Sequence, residues 1–202
     1  MDVIKDQIIN KSIELFTQIG VKVVTMDMIS KDLCMSKKTL YEHFSGKEDL
    51  IKNTFSKCIS TTIQDLENKI KNCPNIIQQK FIILEDNNYF IFLKENQTLF
   101  QLKNFYPDIY IEMITLQNNL LKSLIKNNII LGIEEGLYRP KINKKLTVEY
   151  FYLFEKIIAI DDNLSKVHLN DNLVKKYFIE LLIRSIATKK GIKELEKYVS
   201  KN

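Results

Sequence analysis

Glycine and proline are scarce in this 202-residue chain, at five and three, and strictly alternating apolar and polar runs are few. Little room is left for turns and sheet, so the expectation is an all-α fold. No apolar run approaches the roughly 20 residues that span a bilayer. The first residues include Asp2 and Asp6 rather than a basic and then apolar leader, which points to a soluble, cytoplasmic protein with no membrane partner. The three cysteines, Cys34, Cys58 and Cys73, are odd in number and too widely spaced for a CxxC motif. They read as buried free thiols. Only His43 and His168 exist for acid-base work, and no Ser-His-acid set, metal-ligand spacing or glycine-rich phosphate loop occurs. An enzyme is not expected, nor a catalytic residue, a bound metal or a cofactor. Arginine is almost missing: two residues against 28 lysines.

What the chain does have is concentrated between Thr25 and Leu50, TMDMISKDLCMSKKTLYEHFSGKEDL. Thr25 suits the cap of a helix whose Met26, Ile29 and Leu33 share one face. Cys34-Met35-Ser36 is long enough only for a turn, and Ser36 suits the cap of a second helix, Lys37 to Phe44. Three residues between helices force a sharp crossing, the layout of a helix-turn-helix. In the second helix Leu40 and Phe44 point inward. Lys38, Thr39 and Glu42 then face outward, with Lys37, Tyr41 and His43 near the edges. Ser45-Gly46-Lys47-Glu48 matches a capping box ahead of a long apolar-periodic segment. Upstream, Ile4, Ile8, Leu15, Phe16 and Ile19 form a helical stripe that ends at Gly20.

These residues resemble the TetR family of bacterial transcription regulators without a gap from Ile8 to Leu50. The likeness is carried by Ile9, Leu15-Phe16, Gly20, Thr25, Ile29, Ser36-Lys37-Lys38-Thr39-Leu40-Tyr41, His43-Phe44 and Lys47-Glu48-Asp49-Leu50. It covers about the first quarter of the chain by motif, and the rest by length and helical character. Ser12 and Ser30 stand where the family commonly has alanine, and Cys34 where it commonly has glycine. A positive φ at Cys34 costs about 1–2 kcal/mol. The DNA-contacting set is Thr25, Ser36, Lys37, Lys38, Thr39, Tyr41, His43 and Lys47, with Thr25 and Lys47 assigned to phosphates and Lys38, Thr39 and Tyr41 to base edges. With no arginine in the second helix, base reading falls to Lys, Thr, Tyr and His. Bulk charge does not mark the module. The whole chain carries +5, yet residues 1–55 hold eight lysines and eight acids, 8 − 8 = 0.

The expected organisation is a helix-turn-helix domain over 1–46 and a helical effector-binding and dimerisation domain over 47–202. Helices are expected over Lys47–Lys71, Ile76–Leu93, Thr98–Phe105, Pro107–Glu135, Leu146–Ile160 and Asp171–Lys190, with stops at Cys73-Pro74 and Gly136. The last two are apolar nearly all round, which requires burial on two sides. Phe151, Phe154, Ile158, Phe178 and Leu182 are therefore candidates for a homodimer interface, a four-helix bundle about a two-fold axis, as the TetR resemblance also implies. The same resemblance implies a pocket for an unidentified small-molecule effector, with Phe81, Tyr89, Phe92, Phe105 and Tyr110 as candidate lining. The function read from these features is a ligand-responsive, sequence-specific regulator of transcription. It would act as a homodimeric repressor on palindromic double-stranded DNA. The competing reading is a DNA-binding regulator without a small-molecule effector.

Overall fold

Residues 3–85, 97–160 and 171–200 are described in a computed structural model of the chain. Among them are ten α-helices and no strand, with one isolated antiparallel bridge between Tyr138 and Ala187. The fold is all-α. In order the helices are α1 (Val3–Ile19), α2 (Met26–Asp32), α3 (Lys37–His43), α4 (Lys47–Lys71), α5 (Ile76–Glu85), α6 (Gln97–Phe105), α7 (Pro107–Glu134), α8 (Lys144–Ile160), α9 (Asp171–Ile186) and α10 (Lys189–Val199). The expected continuation of α5 to Leu93 lies outside the described residues.

Packing divides the chain into two units, one built from Met1–Thr61 with Lys94–Gln117, the other from Thr62–Leu93 with Asn118–Asn202. The first unit therefore reaches beyond the 1–46 segment. It takes in the opening turns of α4, all of α6 and the start of α7.

In the first unit the predicted stripes converge. Ile8, Phe16, Ile29, Leu40, Phe44, Leu50 and Ile51 are buried, and the rings of Phe16 and Phe55 stack with centroids 6.3 Å apart. Burying seven such side chains contributes about 1.5–3 kcal/mol each before the opposing chain entropy, so this small core is what holds three short helices in one arrangement. Ser12, in place of an alanine, is buried without loss because its hydroxyl donates to the Ile8 carbonyl at 2.7 Å. The start of α4 differs in detail from the expected capping box. The helix begins at Lys47, so its third residue is Asp49, and Asp49 rather than Glu48 reaches back to accept the Ser45 N–H at 2.9 Å.

In the second unit α5 packs on α9 and α10, with the Phe81 and Tyr198 rings 4.6 Å apart. Tyr138 is fully buried and its hydroxyl donates to Asn128 Oδ1 at 3.2 Å, while Asn128 Nδ2 donates to the Ile76 carbonyl at 3.0 Å. Gly132 is required here, because a β-carbon on it would approach the Tyr138 ring to 2.2 Å. The single helix expected over Asp171–Lys190 is instead two. Ala187 pairs with Tyr138 across the bridge, and Thr188 restarts the chain as α10 by accepting the Gly191 N–H at 3.1 Å. A β-carbon on Gly191 would meet the Leu137 carbonyl oxygen at 2.1 Å. Tertiary pairing, not local helix propensity, decides that break.

The cysteines are free, and Cys34 is exposed, which corrects the expectation that all three are buried. Cys58 is partly buried, and that burial raises its thiol pKa.

Candidate nucleic-acid interface

The two helices of the reading head are fastened at every end. Thr25 Oγ1 accepts the Met28 N–H at 3.2 Å, opening α2. α2 closes as a Schellman turn: Met35 N–H donates to the Ser30 carbonyl at 2.9 Å and Cys34 N–H to the Lys31 carbonyl at 3.0 Å. Cys34 occupies the left-handed position of that turn, at φ 51°. Ser36 Oγ then accepts the Thr39 N–H at 3.0 Å and shares a hydrogen bond with the Thr39 hydroxyl at 2.9 Å. Lys37 Nζ pairs with Asp27 Oδ2, tying α3 to α2. Leu40 and Phe44, at 0% and 1% exposure, anchor the inner side of α3.

What remains outward on α3 is the chemistry a groove requires. The Lys38 side chain is 87% exposed and 3.9 Å from Glu42, a loose pair on the helix surface. Tyr41 is 51% exposed, and Thr39 and His43 are half-buried. A lysine can donate to guanine O6 and N7, a threonine hydroxyl can pair with several base edges, and apolar carbons of Thr39 and Tyr41 suit thymine methyls. Thr25 and Ser36 are exposed, but their oxygens are already used as helix caps. Lys47 is more committed. Its ammonium donates to the Lys22 carbonyl at 2.9 Å and lies 5.7 Å from the Tyr106 ring.

That lysine belongs to a set of contacts that sequence reasoning missed. The Lys22 N–H donates to Gln101 Oε1 at 2.8 Å, Lys22 Nζ sits 4.0 Å over the Phe105 ring, and Thr98 Oγ1 donates to the Phe16 carbonyl at 3.1 Å. Gly20, at φ 92°, lets Gln101 approach, since a β-carbon there would come within 2.5 Å of its amide nitrogen. Helix α6 is thereby fixed to the loop between α1 and α2. Only Gly20 carried a local signal of this, as a helix stop. Gln101, 79 residues from its partner, carried none.

The other candidate residues are dispersed. Phe105 lies in the first unit, 46% exposed against Lys22, and the half-buried Tyr110 is in the same unit. Phe81 is buried in the second unit, and Tyr89 and Phe92 lie outside the described residues. Phe151 and Leu182 are buried within this chain at 0% and 2% exposure. Phe154 and Phe178 are half-buried and meet edge to face at 5.7 Å, and the Ile158 side chain lies outside the description. Among the described side chains of α8 and α9, the large apolar ones exposed to solvent are Leu146, Tyr150, Leu153, Tyr177 and Leu181. Among the described residues no group of three or more His, Cys, Asp or Glu could hold a metal, and no helix is long and apolar enough to cross a membrane.

A capped pair of short helices, the second presenting Lys, Thr and Tyr over a buried Leu-Phe base, defines a helix-turn-helix DNA-binding module. Residues 8–54 match the family model described as bacterial regulatory proteins, tetR family. The HTH-type transcriptional regulator YhgD of Bacillus subtilis is 28% identical over 178 residues, covering 81% of this chain and 85% of that one. The biofilm operon icaADBC HTH-type negative transcriptional regulator IcaR of Staphylococcus epidermidis is 36% identical over 62 residues, 31% and 34% of the two chains. The fold of the transcriptional regulator FadR from Bacillus subtilis superposes with a TM-score of 0.58 at 17% identity, over 88% of this chain and 97% of that one. Residues 8–54 are thus similar to the tetR-family reading head, and over four-fifths of its length the chain is similar to an HTH-type regulator of transcription.

Proposed function

We propose that the protein is a homodimeric, ligand-responsive repressor that reads a palindromic operator through α3. The observation that carries this reading is the surface of exposed Lys38 and Tyr41 with half-buried Thr39, on a helix held by its cap, its inner face and its ion pair to α2. A fixed reading helix is what a sequence-specific contact requires, because base-edge hydrogen bonds are lost within about 1 Å of misplacement. Lys38, Thr39 and Tyr41 read base edges. Lys37, His43 and Lys47 lie towards the phosphates, where Thr25 and Ser36 add hydroxyls. Dimerisation through α8 and α9 would cover Leu146, Tyr150, Leu153, Tyr177 and Leu181 and bring two heads to successive major grooves, roughly 34–36 Å apart. The negative regulator IcaR, similar over the head, supports repression. An effector is supported by FadR, whose structure was solved in complex with stearoyl-CoA. Helix α4, continuous from Lys47 to Lys71, would carry a ligand-dependent tilt to the head, and repression would be relieved by the ligand's preference for one tilt.

Selection of bound duplexes from a random library, at stated salt and alongside light scattering, tests the reading. An enriched inverted repeat and a mass of two chains are expected. A folded monomer, or a dimer that enriches nothing with and without extracted effector, would overturn it.

A further inference from the structure

The chain's net charge of +5 is not in its reading head, where the balance over residues 1–55 is zero. It is accounted for by two segments of the second unit, 134–145 and 184–197. Together these hold nine basic residues and four acidic ones, 9 − 4 = +5. The fold brings the two segments to one place. Arg139 N–H donates to the Ile186 carbonyl at 2.9 Å and its guanidinium to the Ser185 and Ile186 carbonyls. Thr188 Oγ1 donates to the Gly136 carbonyl at 2.7 Å, and Lys190 Nζ to the Glu135 carbonyl at 2.8 Å. The loop before α8 and the junction of α9 with α10 are thus stitched together. Lys141, Lys144, Lys145, Lys189 and Lys193 are exposed there, and among the described residues none has an acidic partner within ion-pair distance.

Helix stability does not account for these lysines. Lys144 and Lys145 open α8, Lys189 and Lys190 open α10, and neither first turn contains an acid. A helix N-terminus favours acids at those positions and opposes cations. Core packing does not account for them either, since they are exposed. What suits a cluster of unpaired ammonium groups is a polyanion whose phosphates they meet as point charges. Between Gly136 and Asn143 no large apolar side chain is exposed to insert into a lipid surface, and the exposed Leu146 beyond Lys145 lies on the α8 face proposed above for dimerisation. Among polyanions, duplex DNA is the one that a protein with a helix-turn-helix head meets in its work.

We infer that this basic cluster is a second, sequence-independent contact for the phosphate backbone of duplex DNA. It adds non-specific affinity to that of the head's own phosphate contacts, and it acts independently of the base contacts on α3. Counterion release gives the measurable consequence: each phosphate neutralised adds about 0.9 to the slope of log affinity against log salt.

The test compares the full-length protein with the variant Lys141→Gln, Lys144→Gln, Lys145→Gln, Lys189→Gln, Lys193→Gln on a duplex of random sequence across a salt series. The slope should become shallower by about three to five, with affinity at low salt falling more than tenfold. A head variant, Lys38→Gln with Tyr41→Ala, should lose operator selection and retain most of the random-duplex binding. Should the five-fold variant not fold, Lys144→Gln with Lys145→Gln should still lower the slope by about two. Capture of a second labelled duplex by bead-bound operator separates contact with another duplex, which is captured, from contact with flanking DNA of the same one, which is not. Equal slopes for wild type and variant would overturn the inference. So would binding to phosphatidylglycerol vesicles that the variant loses while its DNA binding is unchanged, an outcome that would assign the cluster to a membrane surface.

Discussion

Replacing Cys34 by glycine should stabilise the protein, and the size of the effect follows from one dihedral. Cys34 sits at φ 51° in the Schellman turn that ends α2, with Met35 and Cys34 N–H groups closing back on Ser30 and Lys31. A residue with a β-carbon meets the following carbonyl there, at a cost of about 1–2 kcal/mol. Glycine removes that clash but loses about 0.5–1 kcal/mol more backbone entropy on folding. The net expectation is a gain of about 0.5–1 kcal/mol, or a rise in Tm of about 1–4 °C for a chain of this length. Because Cys34 is exposed, the sulfur itself contributes little, so Cys34→Ala, which keeps the β-carbon, should melt with the wild type. Thermal and urea unfolding of wild type, alanine and glycine forms isolate the dihedral from the thiol. A glycine form no more stable than the alanine form would show that the turn is not strained and that the argument from φ is wrong.

Tyr41→Ala should weaken operator binding by about 1–3 kcal/mol with Tm unchanged, because the ring is half exposed and holds nothing in the core; a titration of operator by anisotropy with equal affinities would remove Tyr41 from the contact set. Gly132→Ala should destabilise by about 1–3 kcal/mol or more, since its β-carbon would lie 2.2 Å from the buried Tyr138 ring, and an unchanged urea midpoint would contradict that packing. Leu153→Asp with Leu181→Asp should convert the proposed dimer to a monomer by light scattering, because both side chains face solvent in the isolated chain; a dimer of unchanged mass would move the interface elsewhere. Alkylation of the native protein should modify Cys34 first and Cys58 slowly. Burial raises the Cys58 pKa, so the group contributes stability below its unfolded value, about 8.5, and that contribution is lost as pH rises through the higher folded value. Equal rates at the two thiols near neutral pH would argue against a protected Cys58.

The reading head was legible in the sequence because its signals are short-range. Caps at Thr25 and Ser36, the stop at Gly20, and the inward pair Leu40 and Phe44 all act within one or two helical turns, and all appear as read. The positive φ at Cys34 was foreseeable for the same reason. Even locally there was a limit: the capping box read as Ser45 with Glu48 forms instead with Asp49, one residue further on.

By itself, then, the sequence determined an all-helical chain with a DNA-reading module near its start, since helix periodicity and capping are properties of neighbouring residues. Only the tertiary structure decided that α6 is fastened to the head through Gln101 and Lys22, that the last helical run breaks at Ala187 where Tyr138 pairs with it, and that Phe151 and Leu182 face inward while Leu153 and Leu181 face out. Those outcomes depend on partners tens of residues away. A helix that is apolar all round does not say which side meets its own core, and no local propensity encodes a contact made across 79 residues.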